Sequence, residues 1–301
     1  MTDDISFDGR TVIVTGAGRG LGAAYARLLA SRGAAVVVND LGTSVSGEGA
    51  DPSAADALVA GIVAAGGRAV AHHGDVTDPS DAAGMVALAV DTYGRLDGVI
   101  NNAGIISTDT FDELDERHVQ RNLDVHLFGA LRVTRAAWPY LVESGGSVVM
   151  TASSALFGSE RFFGYAISKG AVFGLMRSLA CEGAAVGVRV NAVMPAAETR
   201  MQGTASDAET GAVERAAVSI HSAANASPFV CYLLHESCEA NGEMFMSGRG
   251  RAARIVLAST SGDRYDDPWT LERAAEKFAD VCEPGQLQIE TSLEAYRQRV
   301  I

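Results

Sequence analysis

The sequence has little of what marks membrane, secreted or nucleic-acid-binding proteins. Its 24 lysine and arginine residues are outnumbered by 37 aspartate and glutamate residues, and no basic cluster offsets the net charge of −13. This balance argues against nucleic acid or an anionic membrane surface as a partner. No apolar run approaches the length of a membrane span, and the charged segment at residues 1–4 lacks a secretory signal pattern. We therefore expect a soluble, cytoplasmic protein.

Cysteine is also scarce. The four cysteines form neither a CxxC pair nor a dense framework, so we interpret them as reduced thiols. The adjacent residues His72 and His73 would point to opposite faces of a strand, and nothing near them in the sequence completes a ligand set. The sequence therefore predicts no metal site.

Internal repeats, low-complexity tracts and proline-rich linkers are absent, so the 301 residues show no domain boundary of that kind. Strand-like runs alternate with helix-like runs instead. The strand-like runs are Thr11–Val14, Ala34–Val38, Arg68–His72, Leu96–Asn101, Ser147–Ala152 and Val188–Val193. The helix-like runs are Leu21–Ala30, Asp81–Thr92, Asp115–Ala137 and Tyr165–Ala185. This order predicts an α/β fold with a single Rossmann-like, doubly wound parallel sheet and helices on both faces.

A glycine-rich loop connects the first strand to the first helix. Glycines at such a junction let the backbone approach a ligand closely, and the helix N-terminus favours a pyrophosphate. The loop therefore predicts a dinucleotide site. The residues that we expect to contact the cofactor here are Gly16, Gly18, Arg19, Gly20, Leu21 and Gly22.

The second strand ends at Asp40, which lies 24 residues after Gly16. An acidic side chain at this point can accept hydrogen bonds from the adenine ribose hydroxyls and would repel a 2′-phosphate. Arg19 is either solvated or available to pair with a phosphate. Because the acidic residue is the stronger signal, we expect NAD rather than NADP.

Tyr165 and Lys169 are one helical turn apart, downstream of the glycine loop. Residues at i and i+4 share a face of a helix, so the Lys169 ammonium can lie near the Tyr165 hydroxyl and favour its ionised form. A free tyrosine titrates near about 10, and a neighbouring cation lowers that pKa toward the range useful at neutral pH. The pair indicates proton transfer coupled to hydride transfer.

These motifs, in this order, resemble the short-chain dehydrogenase/reductase family over nearly the whole chain. Two further segments carry the resemblance, Asp75-Val76 and Asn101-Asn102-Ala103-Gly104. In that family the first pair contacts adenine and the second motif follows strand four. The resemblance therefore implies cofactor contacts from Asp75, Val76, Asn102, Ala103 and Gly104.

The resemblance also implies catalytic roles. Tyr165 would be the general acid/base, and Lys169 would lower its pKa and hold the nicotinamide ribose, so both would also contact the cofactor. Asn122 would support a proton-relay water, unless it is a helix cap or a buried polar residue. Pro195 would lie beside the nicotinamide, although this chain has Pro195-Ala196 where the family usually has Pro-Gly.

The catalytic serine is less simply placed. Its usual position, 13 residues before the tyrosine, is occupied by Ala152. Counted from the start of the preceding strand, the position falls on Ser153, and both Ser153 and Ser154 could donate a hydroxyl to a substrate carbonyl. We predict Ser153 as the catalytic residue.

Three features carry a narrower likeness: the run Val36–Gly42, the stretch Pro195–Met201 and the long tail beyond Gly248. They are similar to the (3R)-hydroxyacyl-CoA dehydrogenase domains of peroxisomal multifunctional enzymes and their bacterial relatives. This likeness implies an NAD-dependent oxidoreductase that interconverts a secondary alcohol and a ketone, on a 3-hydroxyacyl thioester or a steroid-like substrate. A basic patch would then be expected for the nucleotide phosphates, with Arg161, Arg200, Arg249, Arg251 and Arg254 as candidates. The alternative from another class is a non-catalytic nucleotide-binding regulatory or scaffold protein with the same fold.

The sequence also predicts how the chain is organised. We expect a catalytic domain at residues 1–248 and a C-terminal extension at residues 249–301, packed on the same domain or on a neighbouring subunit. Within the extension, Thr270–Val281 and Leu293–Val300 have helical periodicity. The irregular stretch Ala196–Gly211 is a candidate substrate lid or an ordinary connector. By the family resemblance we expect a homo-oligomer, either a dimer or a tetramer.

Overall fold

A computed structural model of the chain describes residues 5–197, 220–260, 262, 268–283, 285–291 and 293–300. The chain divides into two compact units, Met1–Arg254 and Ile255–Ile301. Among the helices in the described ranges, none is long and apolar enough to cross a membrane.

An eight-stranded sheet forms the centre of the first unit. Its strands are β1 Thr11–Thr15, β2 Ala35–Asn39, β3 Arg68–His72, β4 Gly98–Asn101, β5 Ser147–Thr151, β6 Arg189–Ala196, β7 Met244–Gly248 and β8 Arg251–Ile255. They lie in the order β3-β2-β1-β4-β5-β6-β7-β8, and every neighbouring pair from β3 to β7 is parallel. The predicted Rossmann-like α/β fold is confirmed.

Helices cover both faces of this sheet. They are α1 Gly20–Ser31, α2 Ser53–Ala64, α3 Pro79–Tyr93, α4 Glu116–Leu123, α5 Ala130–Ser144, α6 Phe163–Ala184 and α7 Ala223–Tyr232. On one face α1 packs against α2 and α7, and on the other α3 packs against α5 while α4 packs against α6. The β-branched residues Val12 and Val14 are almost fully buried against Tyr25 and Leu29 of α1. Burial of this kind on both faces is what the short apolar strands require.

The described residues of the second unit form two short strands and two helices. Strand β9 Ala258–Ser259 pairs antiparallel with β10 Gln288–Ile289. The helices are α8 Leu271–Cys282 and α9 Leu293–Val300, close to the two helical segments predicted from periodicity.

One predicted helix is wrong in an important respect. The run Asp115–Ala137 was expected as a continuous α-helix, but α4 and α5 are joined by a π-helical turn at Asp124–Gly129. Such turns are rare and are frequently found at functional sites. Helices α2 and α7 and strands β7, β8, β9 and β10 were not predicted at all. The proposed lid at Ala196–Gly211 lies mostly outside the described residues.

The strand order reverses between β1 and β4, because the chain passes from β3 back across the sheet. In open α/β sheets the crevice at such a switch point, at the carboxyl ends of the strands, is where ligands bind. The glycine loop after β1 and the Asn102-Ala103-Gly104 segment after β4 both lie at this edge.

Candidate active site

A cavity of about 1730 Å³ opens at the carboxyl edge of the sheet. Most of the residues predicted from the sequence line it. They are Gly16, Gly18, Arg19, Gly20, Leu21, Asp40, Asp75, Val76, Asn102, Ala103, Gly104, Ser153, Tyr165, Lys169 and Pro195. Residues far apart in the sequence, from the first strand to the sixth, therefore share one site.

The glycine loop is shaped by close backbone packing. Gly16 has φ of 60°, and a Cβ there would come within 2.7 Å of Ala103 Cα. The loop leads into α1, whose N-cap Arg19 makes no side-chain capping bond and whose first turn holds no acidic residue. The N-terminus of α1 is thus suited to an anionic ligand such as a pyrophosphate.

Asp40 is held in place by the backbone on either side of it. Its Oδ2 accepts a hydrogen bond from Gly18 N at 2.7 Å, and its Oδ1 accepts one from Gly42 N at 2.7 Å. The carboxylate therefore fixes the glycine loop while remaining part of the cavity wall. Arg19 is engaged elsewhere, since its guanidinium lies 3.5 Å from the carboxylate of Asp51.

Asn102 ties the loop after β4 to the glycine loop. Its Nδ2 donates to Thr15 O and to Gly16 O, each at 2.9 Å. The backbone N–H groups of Asn102 and Ala103 both donate to Thr15 Oγ1 at 3.0 Å. These bonds hold together the two segments that flank the switch point, so the cavity floor is preorganised.

Tyr165, Lys169 and Ser153 converge at one end of the cavity. The Lys169 Nζ atom lies 5.5 Å from the centroid of the Tyr165 ring and donates to Thr151 O at 2.8 Å. Ser153 lies beside the Tyr165 phenol and acts to lower its pKa, and its Oγ accepts a hydrogen bond from Ala155 N at 3.2 Å. Ala152 is buried, whereas Ser154 is exposed at the start of a short 3₁₀ turn. Of the two candidate serines, it is Ser153 that lies next to the phenol.

The pKa values of this group are dominated by burial. Burial lowers the pKa of Lys169 from 10.5 to about 7, and it raises the pKa of Tyr165, with the Ser153 hydrogen bond acting in the opposite direction. The sequence predicted that Lys169 would lower the pKa of Tyr165; burial acts in the opposite direction and raises it. Desolvation disfavours the charged form of each group.

Two predicted site residues do not line the cavity. Gly22 is buried in α1, where a Cβ would come within 2.3 Å of Gly16 O, so this glycine allows the helix to pack on its own loop. Asn122 is fully buried, and its Nδ2 donates to Ser107 Oγ and to His118 O, each at 2.8 Å. No residue that the structure describes forms a hydrogen bond with its Oδ1.

His126 does line the cavity, and the sequence did not single it out. It lies one turn after Asn122, in the π-helical turn, with only 2% of its surface exposed. Its Nδ1 is 2.7 Å from the hydroxyl of Ser168, the residue just before Lys169. A buried histidine beside a serine is not visible as a sequence motif, because the two are 42 positions apart.

The loop after β2 also borders the cavity. Its residues Thr43, Ser44, Val45 and Gly47 are part of the wall. Ile106 N donates to Val45 O at 3.0 Å, and the guanidinium of Arg121 donates to Gly47 O. The loop thus reaches across to the segment after β4 and to α4.

The candidate basic patch is only partly present at the cavity. Arg249 is among the lining residues, whereas Arg254 is paired with Glu243, with Nη2 2.6 Å from Oε1. Arg161 and Arg251 are exposed, and Arg200 lies outside the described residues. In the part of the chain that the structure describes, no group of three or more His, Cys, Asp or Glu side chains could hold a metal ion.

Comparison with known proteins agrees with this geometry. A family model described as short chain dehydrogenase matches residues 10–210. A short-chain type dehydrogenase/reductase of Mycobacterium tuberculosis is 38% identical over 276 residues, which cover 91% of this chain and 94% of that protein. Peroxisomal multifunctional enzyme type 2 of Mus musculus is 37% identical over 288 residues, which cover 94% of this chain but only 38% of that enzyme. A crystal structure of a short chain dehydrogenase from Mycobacterium avium matches with a TM-score of 0.78 at 34% identity, covering 92% of this chain and 96% of that one.

Proposed function

The chain belongs to the short-chain dehydrogenase family, and from that membership we propose an NAD-dependent dehydrogenase of 3-hydroxyacyl thioesters. As a member it is an oxidoreductase that acts on CH–OH groups and uses a nicotinamide cofactor. The observation that carries the finer proposal is the presence of Tyr165, Lys169 and Ser153 in the same cavity as the glycine loop and Asp40.

The residues present fit a dinucleotide. Gly16 and Gly18 line the cavity, where the lack of side chains would let the backbone come close to a pyrophosphate, and α1 presents its N-terminus there. Asp40, Asp75 and Val76 would bind the adenosine end, while Asn102, Ala103, Gly104 and Pro195 would lie along the nicotinamide end. When bound, the cofactor supplies the hydride acceptor or donor at its nicotinamide ring.

The side chains of the protein handle the proton. The raised pKa of Tyr165 keeps its hydroxyl protonated at neutral pH, ready to donate to the oxygen of a ketone. The Ser153 hydroxyl, which lies beside Tyr165, would hold the same oxygen and fix its distance from the phenol. In the oxidation direction, Lys169 in its charged form would stabilise the phenolate that accepts the alcohol proton.

The preference for NAD is supported by Asp40. A 2′-phosphate at the end of β2 would meet this carboxylate, which the N–H groups of Gly18 and Gly42 hold in place. Arg19, the nearest candidate for pairing with a phosphate, is close to Asp51 instead. Two charges about 4 Å apart interact by about 4 kcal/mol at an effective dielectric of 20, before screening by salt.

Asp40→Asn should therefore shift cofactor preference toward NADP. We expect the ratio of kcat/KM with NAD to kcat/KM with NADP to fall by at least about tenfold, because the repulsion is removed while one acceptor oxygen remains. Asp56→Asn is the matched control, since Asp56 pairs with the exposed His73 outside the cavity wall. An unchanged ratio in Asp40→Asn would contradict the assignment of NAD to this residue.

The substrate class is supported by the resemblance to hydroxyacyl-CoA dehydrogenase domains and by Arg249 at the cavity wall. The chain spans 38% of the mouse multifunctional enzyme, so the activities of that whole enzyme are not assigned to this chain.

Homo-oligomerisation is proposed on separate grounds, because Phe128 and Ile167 expose apolar surface on the π-helical turn and on α6. Nothing observed favours the non-catalytic alternative.

The direct test is a substrate panel followed by NADH absorbance. Purified protein would be given NAD or NADP with 3-hydroxyacyl-CoAs of both enantiomers, hydroxysteroids and simple secondary alcohols. We expect the highest kcat/KM with NAD and a 3-hydroxyacyl-CoA. A hydroxysteroid as the best substrate would correct the substrate class, and absence of turnover across the panel would contradict the proposal.

A further inference from the structure

His126 and Ser168 form a buried pair that the proposed proton transfer does not use. Their exposed fractions are 2% and 0%. The imidazole lies against the edge of the cavity, and its ring packs edge-to-face on Tyr165 with centroids 5.4 Å apart. Burying two polar side chains beside a catalytic phenol is costly unless each of their polar atoms has a partner.

Each polar atom of the pair does have a partner. Ile105 N donates to His126 Nε2 at 3.0 Å, and Ser168 Oγ donates to Tyr165 O at 2.8 Å. Between them, His126 Nδ1 and Ser168 Oγ are 2.7 Å apart. The three bonds connect the segment after β4 to the backbone of the helix that carries Tyr165 and Lys169.

The donors fix the tautomer of the imidazole. Because Nε2 accepts from a backbone N–H, it carries no proton, so the single proton of a neutral ring is on Nδ1. The Ser168 hydroxyl donates its hydrogen to Tyr165 O, and its oxygen accepts a hydrogen bond from His126 Nδ1–H. The three bonds therefore run in one direction, from Ile105 to Tyr165.

A charged imidazole would break this arrangement, because Nε2–H would then face the N–H of Ile105. Burial and the charge of Lys169 both act against the charged form, and they lower the pKa of His126 well below 6.5. The neutral Nδ1–H form is thus the one compatible with the surroundings at neutral pH.

The close approach of the His126 imidazole to Ile105 N depends on the residues that surround the imidazole ring. Gly104, which lines the cavity, would bring a Cβ within 2.9 Å of His126 Nε2, so a side chain there would push the ring away from Ile105. The π-helical turn contains His126 itself, which places the break in helix geometry at this contact.

We infer that His126 is a positioning residue, which through Ser168 sets the distance between the Tyr165 helix and the cofactor segment that ends at Ile105. The inference rests on the proposed function, since it assigns Tyr165 to proton transfer. A displacement of about 1 Å at a reacting group can cost on the order of 100-fold in rate. Cofactor affinity would change little, because the three bonds of the pair involve neither the glycine loop nor Asp40.

The test combines three variants of the full chain. His126→Phe removes both bonds, Ser168→Ala removes the link to Tyr165, and His126→Gln keeps one donor and one acceptor on a planar group. We expect kcat to fall about tenfold or more in the first two variants with the NADH Kd within about twofold of the unmodified protein. His126→Gln should recover most of the loss, and the His126→Phe, Ser168→Ala double variant should be no worse than its more impaired parent.

Two matched controls are available. His73 is exposed and outside the cavity wall, and Ser178 is exposed on the same helix as Ser168, so His73→Phe and Ser178→Ala should leave kcat unchanged. If His126→Phe does not fold, Ser168→Ala against Ser178→Ala decides the question. Unchanged kcat in Ser168→Ala, additive losses in the double variant, or a loss confined to NADH affinity would overturn the inference.

A readout without turnover separates this inference from the proposed function. Long-range ¹H–¹⁵N correlation spectra distinguish the two neutral tautomers of histidine, and the His126 signal is the one absent from His126→Gln. We expect the Nδ1–H form in the unmodified protein and its loss or rearrangement in variants at Ser168. The Nε2–H form or an imidazolium at neutral pH would refute the inference even if the enzyme is active, and the Nδ1–H form would support it even if no substrate is turned over.

Discussion

Tyr165→Phe is expected to lower kcat by about 1000-fold while leaving the Kd for NADH within about threefold of its original value. The substitution removes one hydroxyl and keeps the ring that packs against His126 and Phe162. It removes the proposed proton donor, which lies beside Ser153, but none of the groups of the glycine loop. The loss should therefore appear in kcat, measured by steady-state NADH absorbance, and not in cofactor binding, measured by fluorescence titration.

The control for this variant is Tyr232→Phe. Tyr232 lies at the end of α7, outside the cavity wall, and its hydroxyl donates to Ser237 O at 3.3 Å. Its replacement should leave kcat unchanged. If Tyr165→Phe retained more than about a tenth of the activity, another group would have to supply the proton, and the assignment of Tyr165 would fail.

Lys169→Met should produce the second large effect, a fall in kcat of about 100-fold or more together with weaker binding of NADH. The side chain is almost fully buried, and methionine matches its length without its charge or its bond to Thr151 O. The phenol would lose the cation 5.5 Å from its ring, and the nicotinamide ribose would lose its expected partner. Lys277→Met, which changes the only other lysine in the chain, is the control and should keep full activity.

The same variant should change how stability depends on pH. The pKa of Lys169 is lowered from 10.5 to about 7 in the folded chain, so between these values the unfolded chain binds one more proton than the folded chain. The free energy of unfolding attributable to this group therefore rises with pH through that window. The buried charge lowers the free energy of unfolding by its full amount only below pH 7. That amount is at most about 5 kcal/mol, because each tenfold change in proton affinity corresponds to about 1.4 kcal/mol.

Chemical denaturation at several pH values measures this contribution. We expect the stability of Lys169→Met relative to the unmodified chain to be greatest near pH 6 and to decline as the pH rises from 7 toward 10.5. An active-site substitution that removes activity would then increase stability, which is the trade-off expected where function requires a buried polar group. A stability difference independent of pH would show that Lys169 is not held neutral by burial.

The fold was largely predictable because its signals are local. The β-branched run Thr11–Val14 followed by glycines specifies a buried strand and a turn, and the alternation of such runs with helices specifies a parallel sheet. The order of motifs then specified which residues meet at the carboxyl edge. Most of the residues proposed for cofactor contact do line the cavity, because most of them lie in the segments that follow the strands at the carboxyl edge of the sheet, while Tyr165 and Lys169 come from α6.

The features that were missed depend on distances that sequence spacing does not set. A π-helical turn at Asp124–Gly129 has the same kinds of residue as an α-helix, so its periodicity gives no warning. The choice between Asn122 and His126 as a cavity residue depends on that turn. The direction of the pKa shift of Tyr165 depends on how much solvent is excluded, which is a property of the assembled site and not of the Tyr-Lys spacing.

The buried amine of Lys169 has one more consequence, because lysine is so rare in this chain. Only Lys169 and Lys277 are present among 301 residues, and the remaining 22 basic side chains are arginines, whose charge does not titrate in the usual range. Protein grown with ¹⁵N-labelled lysine would give two ammonium signals in the whole spectrum, which replacement of Lys277 assigns at once. The Lys169 nitrogen is thus a single-atom reporter in the proposed active site, through which proton uptake and cofactor binding can be followed without attaching any probe.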